Sequence, residues 1–196
     1  MTLAAGRHLV PNGYLAAVVT SLEMTAPFFD APPAFPEGVQ VGREIMTTEA
    51  YQNLFRAIGT PWLWQSRLLL DHAALNAILQ NKQVETWVLR DAEGPIGLVE
   101  LDFRTTNSCE LAFFGLIPKA TGNGLGRSMM ALAQTQAFAH PISRLHLHTC
   151  TLDSPQALGF YGKSGFRAYR REIEIFPDPR LHGTLPKTAA THIPCL

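Results

Sequence analysis

The sequence is short of cysteine and has no charge of one sign in excess. Three cysteines in 196 residues, Cys109, Cys150 and Cys195, are too few and too scattered for a disulfide framework or a Cys-x-x-Cys metal site. Reduced thiols suit a cytoplasm, which is the expected location, and no metal is expected. Lysine plus arginine number 16 and aspartate plus glutamate 16, so there is no global basic field of the kind that draws proteins onto nucleic acid. No apolar stretch reaches the roughly 18 residues of a membrane span. Nor does the N-terminus carry a basic segment followed by an apolar core and a small-residue cleavage site. A soluble, unprocessed chain is expected, with neither nucleic acid nor membrane as partner. No internal repeat is found.

What is present is apolar patterning. With 46% hydrophobic residues, a chain of this length can bury one sizeable core, and a single domain over residues 1–196 is expected. Tyr14 to Glu23 is rich in β-branched and apolar residues and predicts a strand. Ala31 to Gly38, crowded with proline, predicts a loop, and Val39 to Met46 a second strand. Thr48 is placed as the cap of a helix with Ala50, Leu54, Ala57 and Ile58 on one face, stopped by Gly59 and Pro61. Trp62 and Trp64 follow; two indoles so close either line a pocket or plug the core. A second helix is expected from Asp71, its cap, to Leu79. Glu85 to Arg90 and Ile96 to Phe103 flank the turn Asp91 to Gly94 as a hairpin. Cys109 to Ile117 is a nearly continuous apolar run and predicts a strand buried on both faces. A helix over Gly126 to Ala139, a strand over Arg144 to Thr151, a helix opening at Asp153-Ser154-Pro155 and a strand over Phe166 to Phe176 complete the pattern. Residues 177–196 lack periodicity and are expected to form a tail or a lid.

Between the apolar run and its following helix lie three alternating glycines, Gly122, Gly124 and Gly126. They let successive N–H groups converge on an anion at a helix N-terminus; the alternative is a plain glycine-rich turn. A Walker loop is excluded, because no Gly followed four residues later by Gly-Lys-Ser/Thr exists. A dinucleotide fingerprint fails as well: Arg127 stands where the third glycine belongs, and no acidic residue follows before Leu152. The stretch Thr121-Gly122-Asn123-Gly124-Leu125-Gly126, after Leu116-Ile117-Pro118, resembles the pyrophosphate loop of the GNAT superfamily of N-acetyltransferases, whose pattern is Arg/Gln-x-x-Gly-x-Gly/Ala. Thr121 departs from that pattern at its first position. Ser154 to Phe166, with Ala157, Tyr161, Gly165 and Phe166, is similar to the superfamily's Asn-x-x-Ala-x-x-x-Tyr-x-x-x-Gly-Phe, with Ser154 in place of Asn.

The resemblance implies the α/β GNAT acyl-CoA N-acyltransferase fold over about 40–176, a mixed central sheet flanked by helices, here with an added N-terminal strand and the irregular tail. It implies acetyl-CoA as co-substrate, held by Leu116, Ile117, Pro118, the loop Thr121 to Gly126, Arg127 and Ser128, and by Ser154, Ala157, Phe160, Tyr161 and Lys163. Tyr161 is then expected near the sulfur as general acid; otherwise it is a core tyrosine. Acyl transfer to an amine of pKa about 10.4 needs a base at neutral pH. By its position before the loop, Glu110 resembles the glutamate base of histone-acetylating members; otherwise it is a rim glutamate or an arginine's partner. The oxyanion would fall to backbone N–H groups near Leu116. His146 and His148, with Cys150 beyond, are explained by strand alternation rather than as metal ligands or a nucleophile pair. Trp62, Trp64 and Arg67 border the expected acceptor side. The expected activity is direct N-acetylation of a small-molecule or protein amine; the alternative is a non-catalytic CoA-binding protein of the same fold. An unpaired N-terminal strand leaves a homodimer open.

Overall fold

The computed structural model describes residues 3–30 and 34–196. Ala31, Pro32 and Pro33, the start of the expected proline-rich loop, lie outside the described residues. Seven strands and four helices follow one another as β1 (Tyr14–Met24), β2 (Gln40–Arg43), α1 (Thr48–Gly59), α2 (His72–Leu79), β3 (Val84–Asp91), β4 (Gly94–Asp102), β5 (Ser108–Leu116), α3 (Leu125–Phe138), β6 (Arg144–Cys150), α4 (Ala157–Lys163) and β7 (Arg167–Pro177). They form one mixed sheet in the order β2-β3-β4-β5-β6-β1-β7. Every neighbouring pair is antiparallel except β5 and β6.

Alternation along β4 divides the core in two. Leu98 joins Tyr51, Leu54, Phe55 and Ile58 of α1 and Leu75 of α2 on one face. Val99 and Leu101 meet Met129, Met130 and Ala133 of α3 on the other. Period-two strands between period-3.6 helices thus give a three-layer α-β-α stack. The β3–β4 turn is closed as its letters suggest, with Asp91 Oδ1 accepting from the N–H groups of Glu93 (2.8 Å) and Gly94 (3.1 Å). Buried Gln134 ties α3 to both neighbours: its Nε2 donates to Ser164 O, and its Oε1 accepts from Phe28 N.

Several elements differ from the sequence expectation. Thr47, not Thr48, caps α1, accepting from Ala50 N at 3.2 Å. The buried stripe of α1 runs through Tyr51 and Phe55, while Ala50 and Ala57 face solvent, because large aromatics gain most from burial. The strand expected to reach Met46 stops at Arg43. Helix α4 begins at Ala157, four residues after Asp153, since the Asp153 carboxylate turns back to accept from Thr149 Oγ1 and Cys150 N. The N-terminal strand is neither added at an edge nor unpaired: β1 lies inside the sheet, antiparallel to β6 on one side and to β7 on the other. Beyond Leu111, β5 is only partly buried, because β6 pairs with it at Ser108, Cys109 and Glu110 alone.

After β7 the chain forms turns without helix or strand, yet it is tied down. Arg180 bonds Asp178 (2.7 Å), and its guanidinium also donates to the carbonyls of Ala189, Ile193 and Pro194. Leu185, Ala189 and Ala190 pack on Leu15, Ala17, Leu63 and Leu152. Replacing Arg180 leaves a carboxylate and the four carbonyls of Ala189, Ala190, Ile193 and Pro194 without their shared donor, and such losses exceed what a small peripheral unit can bear. Arg180→Met should therefore detach the tail locally. Trypsin cleavage at exposed Lys187 should accelerate at least about tenfold by mass spectrometry while the core resists; an unchanged cleavage rate would remove Arg180 as the anchor.

Candidate functional site

Between the parted C-terminal ends of β5 and β6 lies a cleft of about 760 Å³, bounded by Trp62 to Ser66 on one side and by α4 on the other. Aromatic packing shapes it. Phe114 stacks with Phe160 at 5.7 Å, Tyr161 meets Phe114 and Phe166 edge-on, and Trp64 packs against Phe55 and Phe113 at 5.3 Å each. Gly115 makes room for this wall: a Cβ there would stand 2.4 Å from Ile58 Cγ2 and 3.1 Å from the Trp64 ring. Trp64 Nε1 donates to Asp153 Oδ1 at 3.1 Å and so spans the gap that β6 leaves open. The two indoles therefore both pack and line the cleft, and Trp62 also borders a second cavity of about 510 Å³ against the tail.

The glycine loop sits at one end. Gly122 (φ +86°) and Gly124 (φ +79°) are left-handed, and Gly124 precedes the first residue of α3 with no side-chain cap. Among the described residues, the N–H groups of Gly122 to Gly126 donate to nothing. Open N–H groups at the start of a 14-residue helix fit an anionic group such as a diphosphate. Thr121 Oγ1 bonds Pro118 O at 2.8 Å, so its hydroxyl serves the turn. Arg127 is exposed, its guanidinium 5.8 Å from the centre of the Phe29 ring.

Of the residues singled out in the sequence, Trp62, Trp64, Leu116, Thr121, Gly122, Gly126, Ser154, Ala157, Phe160 and Tyr161 line this one cleft. Ile117, Pro118, Asn123, Gly124, Leu125, Arg127, Ser128 and Lys163 do not line it. Arg67 points elsewhere. It bonds Glu100 Oε1 at 2.5 Å beneath the Phe113 ring, and Tyr51 OH donates to the other oxygen of the fully buried Glu100. Burial first, then the Glu100 charge, holds the Tyr51 phenol protonated.

Glu110 also stands back from the cleft, but its Oε1 lies 3.4 Å from His148 Nδ1, and His148 does line it. The imidazole holds the Glu110 carboxyl below the usual carboxylate range, against the opposing effect of burial. Hydrogen bonding to Glu110 correspondingly raises His148, with Asp153 and Glu174 adding to the rise. Burial, and secondarily the Asp153 charge, pushes the Tyr161 phenol well above its ordinary value, so it stays a donor at every working pH. His148, Asp153 and Glu174 were missed as site residues from sequence. The i, i+2 alternation did place His148 outward, but only the parallel register of β5 on β6 brings Glu110 beside it. Burial likewise raises the Cys150 thiol to about 11, which leaves it a poor nucleophile. Among the described residues, no group of three or more His, Cys, Asp or Glu is arranged to hold a metal, and no helix is long and apolar enough to cross a membrane.

Comparison with known proteins bears on the family and the fold. The family model described as acetyltransferase (GNAT) family matches residues 48–166. A GCN5-related N-acetyltransferase from Sphaerobacter thermophilus superposes with a TM-score of 0.60 at 13% identity, covering 84% of this chain and 53% of that one. A GCN5-related N-acetyltransferase from Kribbella flavida gives 0.55 at 17%, covering 87% and 63%. A tandem GNAT protein from the clavulanic acid biosynthesis pathway gives 0.58 at 14%, covering 87% and 54%. The chain thus spans between about half and two thirds of the length of these structures, and at such identities the likeness is one of fold. No curated protein matches the sequence.

The left-handed backbone at Gly124 yields a direct test of the loop. An L side chain there costs about 1–2 kcal/mol in backbone strain alone, and a β-branched one is worse. Gly124→Val should weaken calorimetric binding of acetyl-CoA, a diphosphate-bearing ligand, at least about tenfold with circular dichroism unchanged; wild-type affinity would exclude the loop from the binding site.

Proposed function

Because the chain belongs to the acetyltransferase (GNAT) family, we propose that it is an acetyl-CoA-dependent N-acetyltransferase acting on an amine by direct transfer. The observation that carries this reading is the cleft itself: one opening is lined by Gly122 and Gly126 of the glycine loop, whose N–H groups are unpartnered among the described residues, and by Tyr161 and His148. Acetyl-CoA supplies a thioester whose carbonyl carbon an amine can attack. Gly122 to Gly126 hold its diphosphate, while Leu116, Ala157 and Phe160 border its arm. From Leu111 onward the β5 edge facing β6 has no strand partner, so its backbone N–H groups are available to a carbonyl oxygen, the kind of preorganised donor worth about 2.7–4 kcal/mol.

Proton traffic divides between two side chains. His148, neutral, accepts the amine's proton, and Glu110 orients the ring through Nδ1 and stabilises the imidazolium that results. Glu110, expected as the base itself, becomes the positioning carboxylate of a pair. Tyr161 passes its hydroxyl proton to the departing thiolate, whose free pKa of about 8.5 leaves it only partly stable as an anion at neutral pH. It recovers one from solvent as the His148 imidazolium releases the amine's proton there, so the turnover ends with amide, thiol, neutral phenol and neutral imidazole. The site requires a neutral imidazole, so kcat rises with pH through the His148 pKa, which Glu110 holds above the ordinary imidazole value.

Glu110→Gln removes that support. Its acid limb should shift to lower pH, and kcat should fall about 10²-fold because a weaker base remains. Tyr161→Phe should lower kcat by a similar factor with acetyl-CoA affinity changed less than about threefold. Both are measured by thiol release against pH with a saturating amine. An unshifted acid limb in Glu110→Gln would dissolve the pair, and undiminished kcat in Tyr161→Phe would make the tyrosine a packing residue. Tight acetyl-CoA binding with no turnover of any amine would instead favour a non-catalytic CoA-binding protein.

A further inference from the structure

The acceptor's chemistry is legible in what the cleft lacks. Among the described residues, no lysine or arginine lines it, whereas Asp153 and Glu174 do. Neither acid appears in any ion pair of the described residues. Asp153 is satisfied only by neutral donors, Trp64 Nε1, Thr149 Oγ1 and Cys150 N, so its charge is oriented but not cancelled. Glu174 stands on β7 opposite Ala17, which offers it no polar partner. Of the arginines on these strands, Arg170 is engaged by Glu172 at 2.5 Å and Arg144 by Glu23 at 2.9 Å, while Arg171, three residues from Glu174, does not line the cleft. Trp62, Trp64 and Phe113 line the same cleft, aromatic surface that suits an apolar body and attracts a cation.

Resting on the acetyltransferase reading, we propose that the acceptor is a small cationic primary amine with an aromatic or apolar body and no carboxylate beside the amine. Uncancelled acids draw in the ammonium form, and the indoles hold the body. An α-carboxylate would meet Asp153 and Glu174 with no lysine or arginine lining the cleft to balance it, and like charges brought together in one site repel. Free amino acids are therefore excluded by repulsion rather than by size. Discrimination of this type needs an element that opposes the wrong ligand, and here that element is the unpaired acid on β7.

Three compounds that share one body test this: phenethylamine, phenylalaninamide and phenylalanine, each with acetyl-CoA, the full-length protein and thiol detection. The expected kcat/KM for phenethylamine exceeds that for phenylalanine at least about tenfold, with phenylalaninamide close to the amine because it lacks the charge. Glu174→Gln should raise KM for phenethylamine several-fold with little change in kcat, and Glu174→Arg should shrink or reverse the preference. Equal or better use of phenylalanine, or an amide as poor as the acid, overturns the proposal while leaving N-acetylation intact. Should no compound turn over, the function reading fails separately. Calorimetric affinities of the same three compounds then decide the selectivity: amine tighter than acid upholds it, and the reverse order overturns it.

Discussion

Strands β5 and β6 share three residue pairs, Ser108 with Arg144, Cys109 with Leu145 and Glu110 with His146, and then separate. A parallel pair that parts in mid-sheet leaves backbone groups unpaired, and unpaired buried groups are costly unless something replaces the partner. Here aromatic walls fill one flank, the Trp64–Asp153 hydrogen bond bridges the floor, and the cleft takes the remaining edge. Everything proposed for this site depends on that separation. Gly115 permits it by letting Ile58 and Trp64 approach the strand where a Cβ would collide, and β1 permits it from the far side by completing the sheet between β6 and β7.

The separation also sorts charge. At the α3 end, free N–H groups and the helix dipole favour an anion; towards β6 and β7, Asp153 and Glu174 favour a cation. Two reactants of opposite character could then enter one cleft without competing, which on the proposed function would bring them together beside Tyr161 and His148. The buried Arg67–Glu100–Tyr51 cluster supports the same geometry from below, since Arg67 lies 4.9 Å from the centre of the Phe113 ring on the cleft wall. Arg67, expected from its position in sequence on the acceptor side, is claimed instead by Glu100, which is fully buried and demands a cation of its own.

Features set by neighbours in sequence were legible. The glycine loop, the Tyr161 helix with its Gly165 stop, the hairpin at Asp91 to Gly94 and the Asp71 cap all follow from residues within a few positions of each other, and the structure contains each of them. Features set by strand pairing over long separations were not. Nothing in Tyr14 to Met24 announces that it lies between β6 and β7, because apolar alternation gives a strand's faces but not its neighbours. The apolar run of β5 suggested burial on both faces, yet its second half lines a cleft, where hydrophobic residues serve a ligand's body instead of a core. His148 was visible as an outward residue, but its partnership with Glu110 needed the parallel register. Asp153 matched a helix cap by its letters, and the bonds it makes to Thr149, Cys150 and Trp64 outcompete that use.

The central claim is that a single cleft at the parted strands holds the acetyl donor through the glycine loop. Amide hydrogen exchange, followed by mass spectrometry with and without saturating acetyl-CoA, tests it most directly, because it reports on the open N–H groups themselves. The account predicts slowed exchange in peptides covering Gly122 to Gly126 and Leu111 to Leu116, with β2 and β3 unchanged. Protection confined to the tail-side cavity at Thr188 to His192, or none in the glycine loop while the ligand is bound, would contradict it.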